Sequence, residues 1–540
     1  GSSTMRLRGG GCFLSKEESE WKAYLAQVEL QQPSAKAKAL DAAQAAARLA
    51  ANDHHPDGYS AWERFGGADL ETALQHDAEL GGPPVRLVDA RFLIQLHALG
   101  GTLLRRQDLP DDAFVSLADL KRWSPGNSAT VGHECLRIVV LSHPWLQPDR
   151  CDPKDTTLSL LSQVLNLLVE SESNGRGSYA CFVDFCSLTQ KGPLGEERTP
   201  HEALLFKKAL QTMTEWYCHP KTIVVKMTTL PANYPEGFCF PPGMNANKAG
   251  YWERGWCHCE SSVSNLVKDR SLVLDMAMYS PPELRCEGFS YGRRYALWEE
   301  LVDACATKRT PPLLPEDFSR MLVDKSFTSK NADMDIVSAL FERAFDARLR
   351  TATALNLSVL GWDDDDAELL ASTLAAGQLT QLRHLNLGGN QIGDRGAAAI
   401  AAALTRRQLI SLRTVTLSGN HIGQDGLKAL AEAVASGGIP CLDLGHSVVP
   451  LDVDANPAFH KYANSGGPFR YMPELLEQAI ERFRASRVKV GQRVTVTRSG
   501  DSRLGEEGVA IEVEAAGAML RFNDDTVVGL KHTSFKVLID

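Results

Sequence analysis

No stretch of this 540-residue chain approaches the roughly 18 consecutive apolar residues that cross a bilayer. The start of the sequence also lacks the apolar core of a secretory signal. No membrane span is expected, and the expected compartment is the cytoplasm. Positive charge is in deficit: 57 Lys and Arg face 67 Asp and Glu, giving a formal net charge of −10 and a pI near 5.8. That balance gives no support to a broad nucleic-acid-binding surface, so no nucleic-acid partner is expected. The phosphate loop G-x-x-x-x-G-K-[ST] occurs nowhere, which excludes a receptor built on a standard nucleotide switch. An even cysteine framework is missing too. Of 12 cysteines, ten fall between Cys135 and Cys305, a pattern that reads as reduced, buried thiols. Cys218, His219, Cys239, Cys257, His258 and Cys259 could be drawn as a zinc site, but Cys257-x-Cys259 is not the usual C-x-x-C knuckle. No metal is expected.

What remains is a globular composition, 44% hydrophobic and 23% charged, on a chain long enough for about three or four domains. Residues 1–15 read as a tag or basic leader. Cys12 is a candidate for acylation there, but no glycine directly follows Met5, so myristoylation has no support. Residues 16–130 read as helical, with a helix break at Pro33 and an amphipathic helix closed by Gly100-Gly101. From 131 to 310 short apolar runs alternate with helical stretches. "LRIVVLS" (136–142), "YACFVDFCSL" (179–188), "KTIVVKM" (221–227) and "SLVLDMAM" (271–278) predict strands that are apolar on both faces. Such strands belong in a parallel sheet covered by helices. A doubly wound sheet takes ligands beyond the carboxyl ends of its strands, where Ser142, His143, Trp145, Asp184 and the turn at 228–231 are expected. Trp145 next to Pro144 also fits simple packing, Asp184 a strand-end cap, and Arg150 a solvated loop charge.

A helical linker is expected over 311–350, followed by a repeat over 351–448. "LNLSVLG", "LNLGGNQIG" and "VTLSGNHIG" place Leu357, Leu387 and Leu417 at equal steps of 30 residues, and "LDLGH" at 442 begins a degenerate fourth copy. With alanine-rich helices between the copies, this is a leucine-rich repeat of the strand-plus-helix kind. Asn390 and Asn420 stand where an asparagine side chain satisfies the turn's backbone. About three and a half copies is near the minimum for a solenoid, so the repeats are expected to pack on a neighbour. After a linker at 449–487, residues 488–540 alternate apolar and polar positions between turns and read as a small β-barrel. That barrel looks like the SH3-like interaction modules. Phe522 and Phe535 are its only aromatic residues, and core packing explains both.

"GWCHCESS" (255–262) places Trp256 and Glu260 on one helical face, continued by Val263 and Val267. In bland terms Glu260 is a half-solvated carboxylate stabilised by a helix N-terminus. Taken with the strand order, however, the segment resembles a TIR domain. The first strand ends in a serine ("IVVLS"), the second carries an aspartate ("CFVDF"), and the helix after the third begins W-x-x-x-E in its plant-type form, Trp256-Cys257-x-x-Glu260. The resemblance covers about a third of the chain and implies a flavodoxin-like doubly wound sheet. It also implies an activity, cleavage of the nicotinamide–ribose bond of NAD, with Glu260 catalytic and with Ser142, His143, Trp145, Asp184 and Trp256 about the nucleotide. NAD is substrate there and no resident cofactor is implied. Cationic nicotinamide leaves without protonation, so one carboxylate placed to stabilise an oxocarbenium-like transition state suffices. Self-association through the TIR-like domain is a further implication. The sequence departs from the family in "SHPWLQPDRCDP" after the first strand and in the insertion "PANYPEGFCFPPGMNANKAGYWER" before Trp256, and either change closes or rebuilds the pocket. Two function classes follow: a signalling NAD hydrolase with repeats and barrel binding protein partners, or a non-catalytic scaffold.

Overall fold

A computed structural model describes residues 20, 22–23, 58–123, 135–171, 178–192, 195–243, 245–279, 291–306, 308–327, 330–406, 408–435, 451–452, 493–496, 507–513, 517–522, 527–531 and 535–537. The expected leader, the helix pair broken at Pro33, Cys12, the segment at 442 and nearly all of the 449–487 linker lie outside the described residues. The chain divides into two compact units, one drawn from Gly1–Trp216, Lys221–Cys257 and Asp275–Glu300, the other from Tyr217–Pro220, His258–Leu274 and Leu301–Asp540.

The α/β unit begins with helices α1 (Gly58–Arg64) and α2 (Ala68–Leu74), strand β1 (Leu87–Asp89) and helix α3 (Ala90–Ala98). Strand β2 (Phe114–Val115) and helix α4 (Leu117–Arg122) lead to β3 (Ile138–Ser142) and α5 (Thr156–Ser171). Next come β4 (Ala180–Val183), the one-turn α6 (Asp184–Ser187), α7 (Pro200–Gln211), α8 (Met213–Cys218) and β5 (Ile223–Lys226). Helix α9 (Gly255–Ser264) and strand β6 (Val273–Asp275) follow in the chain, with His258–Leu274 counted in the second unit. The strands form one sheet in the order β2-β1-β4-β3-β5-β6. β3 pairs in parallel with both β4 and β5, Val139 lying opposite Cys181 and Ile223. Every residue of β3, β4 and β5 is buried, as expected of strands covered on both faces.

The purely helical reading of 16–130 needs correction: Leu87–Asp89 is a strand, antiparallel to both β2 and β4. Three residues are too few to show a period of two, and the amphipathic helix after them dominates the pattern. Asp89 closes the strand and caps α3, its Oδ1 accepting from Arg91 N at 2.7 Å. The side chain is 4% exposed, and burial, opposed by the Arg91 and Phe92 amides and the Arg91 charge, pushes its carboxyl up to about 6. A carboxyl raised in the fold contributes stability that is fully present below its unfolded pKa near 3.8 and lost as pH rises through about 6. Asp89→Asn keeps a good cap but does not titrate. Its stability relative to wild type is therefore expected to rise by roughly 2–3 kcal/mol between pH 4 and pH 7, measured by urea unfolding across that range. A pH-independent difference would contradict this.

Helices α10 (Tyr291–Cys305), α11 (Pro315–Leu322) and α12 (Lys330–Ala344) precede the repeats. Strands β7 (Ala354–Asn356), β8 (His384–Asn386) and β9 (Thr414–Thr416) alternate with α13 (Asp364–Ala375), α14 (Asp394–Thr405) and α15 (Gln424–Ala435). The register is Leu355↔Leu385↔Val415, so the 30-residue step of the sequence is the step of the ladder. A fourth parallel strand, β10 (Leu451–Asp452), pairs Leu451 with Val415; it is therefore the segment at 451 that continues the ladder. The repeats pack on the chain segment just before them, as Trp362 Nε1 donates to Arg309 O at 2.7 Å and Thr373 Oγ1 to Pro312 O at 2.8 Å.

Adjacent repeats are joined by a device that the leucine spacing does not reveal. Asp364 Oδ1 accepts from Gly393 N and Gly396 N at 2.7 and 2.9 Å, and Asp394 Oδ1 repeats this with Gly423 and Gly426. Gly396 has to be glycine, because a Cβ there would lie 2.7 Å from Asp364 Oδ1 and 2.8 Å from Ala367 Cβ.

The tail forms a five-stranded antiparallel sheet from β11 (Arg493–Val496), β12 (Glu507–Val513), β13 (Gly517–Phe522), β14 (Val527–Lys531) and β15 (Phe535–Val537). The order is β14-β13-β12-β11-β15, with a register shift between Ala510 and Glu512.

Candidate functional site

The carboxyl ends of β3, β4 and β5 deliver Ser142, Asp184 and the 228–231 turn to one edge of the sheet, as a parallel arrangement dictates. Ser142 is buried and its Oγ lies 2.6 Å from Tyr251 Oη. Trp145 and Asp184, 39 positions apart, are brought together: Trp145 Nε1 donates to Asp184 Oδ1 and Oδ2 at 3.1 and 3.0 Å, and Phe185 N donates to Oδ1 at 2.7 Å. Burial nevertheless pushes the Asp184 carboxyl up to about 6 against those hydrogen bonds. The Trp145 ring also stands edge-on to Phe185, centroids 5.2 Å apart. His143 is 4% exposed, its Nε2 without a hydrogen-bond partner, and burial followed by the Arg254 charge drives it down to about 3. It is a neutral imidazole throughout the physiological range.

The insertion before Trp256 is built into this edge. Arg254 donates to Trp145 O at 2.6 Å and, through its other nitrogens, to Ala249 O and Asn247 O. Tyr234 Oη donates to Leu146 O at 3.0 Å, and Gln147 Nε2 donates to Cys239 O. The loop after β3 and the insertion thus hold each other, and the prolines of "SHPWLQPDRCDP" stiffen one side of the pair. Two pockets result. One, of about 190 Å³, lies beyond β3 and β5 between Pro144, Leu146, Thr157, Leu160, Met227 and Leu230. The other, of about 320 Å³, opens between Gln147, Arg150, Lys154, Gly237, Phe238 and Cys239. Trp256 and Glu260 line neither of them. Arg150, expected as a solvated loop charge, is only 12% exposed at its side chain.

Helix α9 starts at Gly255, so its first turn contains no acidic residue and Glu260 lies in the second. Glu260 is 5% exposed, which removes the reading of a half-solvated carboxylate at a helix terminus. Trp256 is half-buried. Ser264 Oγ donates to Glu260 O at 2.6 Å. Burial first, and the Glu260 charge second, push the neighbouring Cys259 thiol well up. No disulfide joins the nine cysteines among the described residues, and no group of His, Cys, Asp and Glu among those residues could hold a metal ion. His258 stacks on Phe318 with centroids 5.4 Å apart and is held down to about 4 by burial and by Lys325.

On the repeats, Leu355, Leu385 and Val415 point inward and are buried, while Asn356, His384, Asn386, Thr414 and Thr416 form the outer face. Four of these groups are already ordered: Asn386 Nδ2 donates to Asn356 Oδ1 at 3.1 Å, Asn356 Nδ2 to Asp269 Oδ2 at 2.8 Å, and His384 Nδ1 lies 2.8 Å from Thr414 Oγ1.

Residues 378–401 and 408–431 match the leucine-rich repeat family. These repeats are the class of module that the sequence period and the parallel ladder define. No curated protein matches the chain. Among the described residues, no helix is long and apolar enough to cross a membrane.

Proposed function

We propose that this chain is an interaction scaffold whose leucine-rich repeats take a protein partner on the open face of β7, β8 and β9. The observation that carries this reading is the row of outward polar groups, Asn356, His384, Asn386, Thr414 and Thr416, the first four already ordered, on strands whose inward residues are buried. Parallel strands repeat about every 4.8 Å, so the row offers donors and acceptors at a fixed spacing, and little ordering entropy is lost when a partner binds. The tail sheet is read as a second, SH3-like interaction module. His384→Glu on the full chain is expected to leave the stability within about 0.5 kcal/mol of wild type, as for other surface changes, while abolishing retention of the protein that the wild-type chain captures. Retention unchanged by His384→Glu sinks this reading.

A second reading keeps the α/β unit as a TIR-like NAD hydrolase with Glu260 as the charge that stabilises the transition state and Ser142, His143, Trp145, Asp184 and Trp256 around the nucleotide. It is supported by Ser142, Trp145 and Asp184 standing at the strand ends, the edge where doubly wound sheets hold ligands, although none of the six residues lines the pocket found there. Wild-type protein at high concentration, where self-association is promoted, is then expected to release nicotinamide from NAD, and Glu260→Gln to abolish the release with the fold intact. Equal rates in the two proteins, or none in wild type, remove it.

A further inference from the structure

The amino-terminal rim of the repeat strands carries charge that neither reading above uses. Residues 376–424 contain five arginines and one aspartate, Asp394, in a chain whose net charge is −10. Asp394 is spent inside the repeats, its Oδ1 accepting from Gly423 N and Gly426 N. Arg395 is spent as well, pairing with Asp364, Asp365 and Glu368 of the preceding repeat. Arg406 closes α14, where a cation offsets the helix dipole, and Arg407 lies outside the described residues. Arg383 and Arg413 have no such role: they stand directly before strands β8 and β9.

The ladder fixes these two side by side. Arg413 N and Thr414 N donate to Arg383 O at 2.8 and 3.1 Å, so the two arginines occupy neighbouring rungs about 4.8 Å apart. Both are exposed, and neither side chain makes an ion pair or hydrogen bond among the described residues. Like charges held opposite each other on adjacent strands are destabilising. The ladder itself does not require arginine here, because the same position on the preceding rung, whose carbonyl accepts from Arg383 N at 2.8 Å, is neutral Thr353. Solvation accounts for one exposed guanidinium but not for a pair locked at this spacing. Carboxylates placed on the pair remove the repulsion, and the planar fork of each guanidinium matches a carboxylate with two parallel hydrogen bonds. In the loop that joins α14 to β9, Ile410 is 59% exposed, which puts an apolar side chain three residues from Arg413.

From these features we infer that this rim docks an acidic segment of a protein partner, its carboxylates on Arg383 and Arg413 and an apolar side chain on Ile410. The inference rests on the repeat reading and gives the partner's chemistry. A nucleic acid is the poorer match, because the cationic strip is short and the acidic remainder of the chain repels an extended polyanion. Fluorescence anisotropy of the full chain with a labelled peptide of glutamates around one central leucine tests it. The peptide is expected to bind saturably, and at least tenfold more weakly once salt at about 0.3 M screens the charges. The same peptide with glutamine for glutamate is expected not to bind, and a single-stranded oligothymidine of equal charge to bind at least tenfold more weakly. Arg383→Gln with Arg413→Gln, at exposed positions, is expected to melt as wild type and to weaken the glutamate peptide at least tenfold. Lys154→Gln with Lys428→Gln removes the same charge from other exposed positions and is expected to leave the affinity unchanged. The proposal is overturned by the absence of saturable binding, by equal affinity for the glutamine peptide or the oligothymidine, or by equal losses in the two double variants. Failure of the repeat reading itself shows separately, as retention unchanged by His384→Glu.

Discussion

Asn390→Ala is expected to cost about 3–9 kcal/mol, reaching the range reserved for a few identifiable mechanisms. Asn390 is 3% exposed and spends all of its hydrogen-bonding capacity on the backbone of two successive repeats. Its Oδ1 accepts from Leu360 N at 2.9 Å and Trp362 N at 3.2 Å, and its Nδ2 donates to Leu357 O at 2.9 Å and Leu387 O at 2.8 Å. Alanine offers none of these, and each buried backbone group left unpaired costs about 1–3 kcal/mol. Leu387 O retains Asn420 Nδ2 at 2.9 Å, so about three groups are orphaned. The fastest readout is amide hydrogen exchange over 355–392, where protection should fall by several powers of ten, alongside denaturant unfolding. A loss below about 1 kcal/mol would mean that water reaches the turn and replaces the side chain.

Leu387→Ala is expected to cost about 2–5 kcal/mol, from lost transfer energy and from the cavity left in a core that relaxes only partly. The side chain is wholly buried, as are Leu357 and Leu417, 30 positions to either side. Its backbone is pinned by Leu387 N donating to Thr416 O at 2.8 Å, so the strand cannot move in to fill the space. Three and a half repeats offer few neighbours over which to spread the loss. Unfolding of the repeat unit in urea, with the tail and the α/β unit as internal references, measures it. A change under about 0.5 kcal/mol would place Leu387 on the surface.

The two substitutions separate what the repeat pattern encodes. Leucines at a 30-residue step report burial, and the register Leu355↔Leu385 follows from them. Asparagine at the same step reports a backbone turn too tight to satisfy itself. Both were legible in the sequence because each repeat meets the same environment as the last, so local pattern and tertiary contact coincide.

At the sheet edge that coincidence is lost. The sequence by itself determined the parallel core, since strands buried on both faces must be continuously apolar, and it placed Ser142, Asp184 and Trp256 at or after strand ends. The pairing of Trp145 with Asp184 over 39 positions, the stapling of the insertion to the first loop through Arg254, Tyr234 and Gln147, and the pocket holding Arg150 and Lys154 were decided by tertiary structure alone. Likewise Leu87–Asp89 became a strand because β4 offered an edge to pair with, which no three-residue pattern announces. Periodicity records what one element buries, averaged over several residues. A single hydrogen bond between distant loops leaves no period, so the geometry of this edge became visible only once the chain had folded.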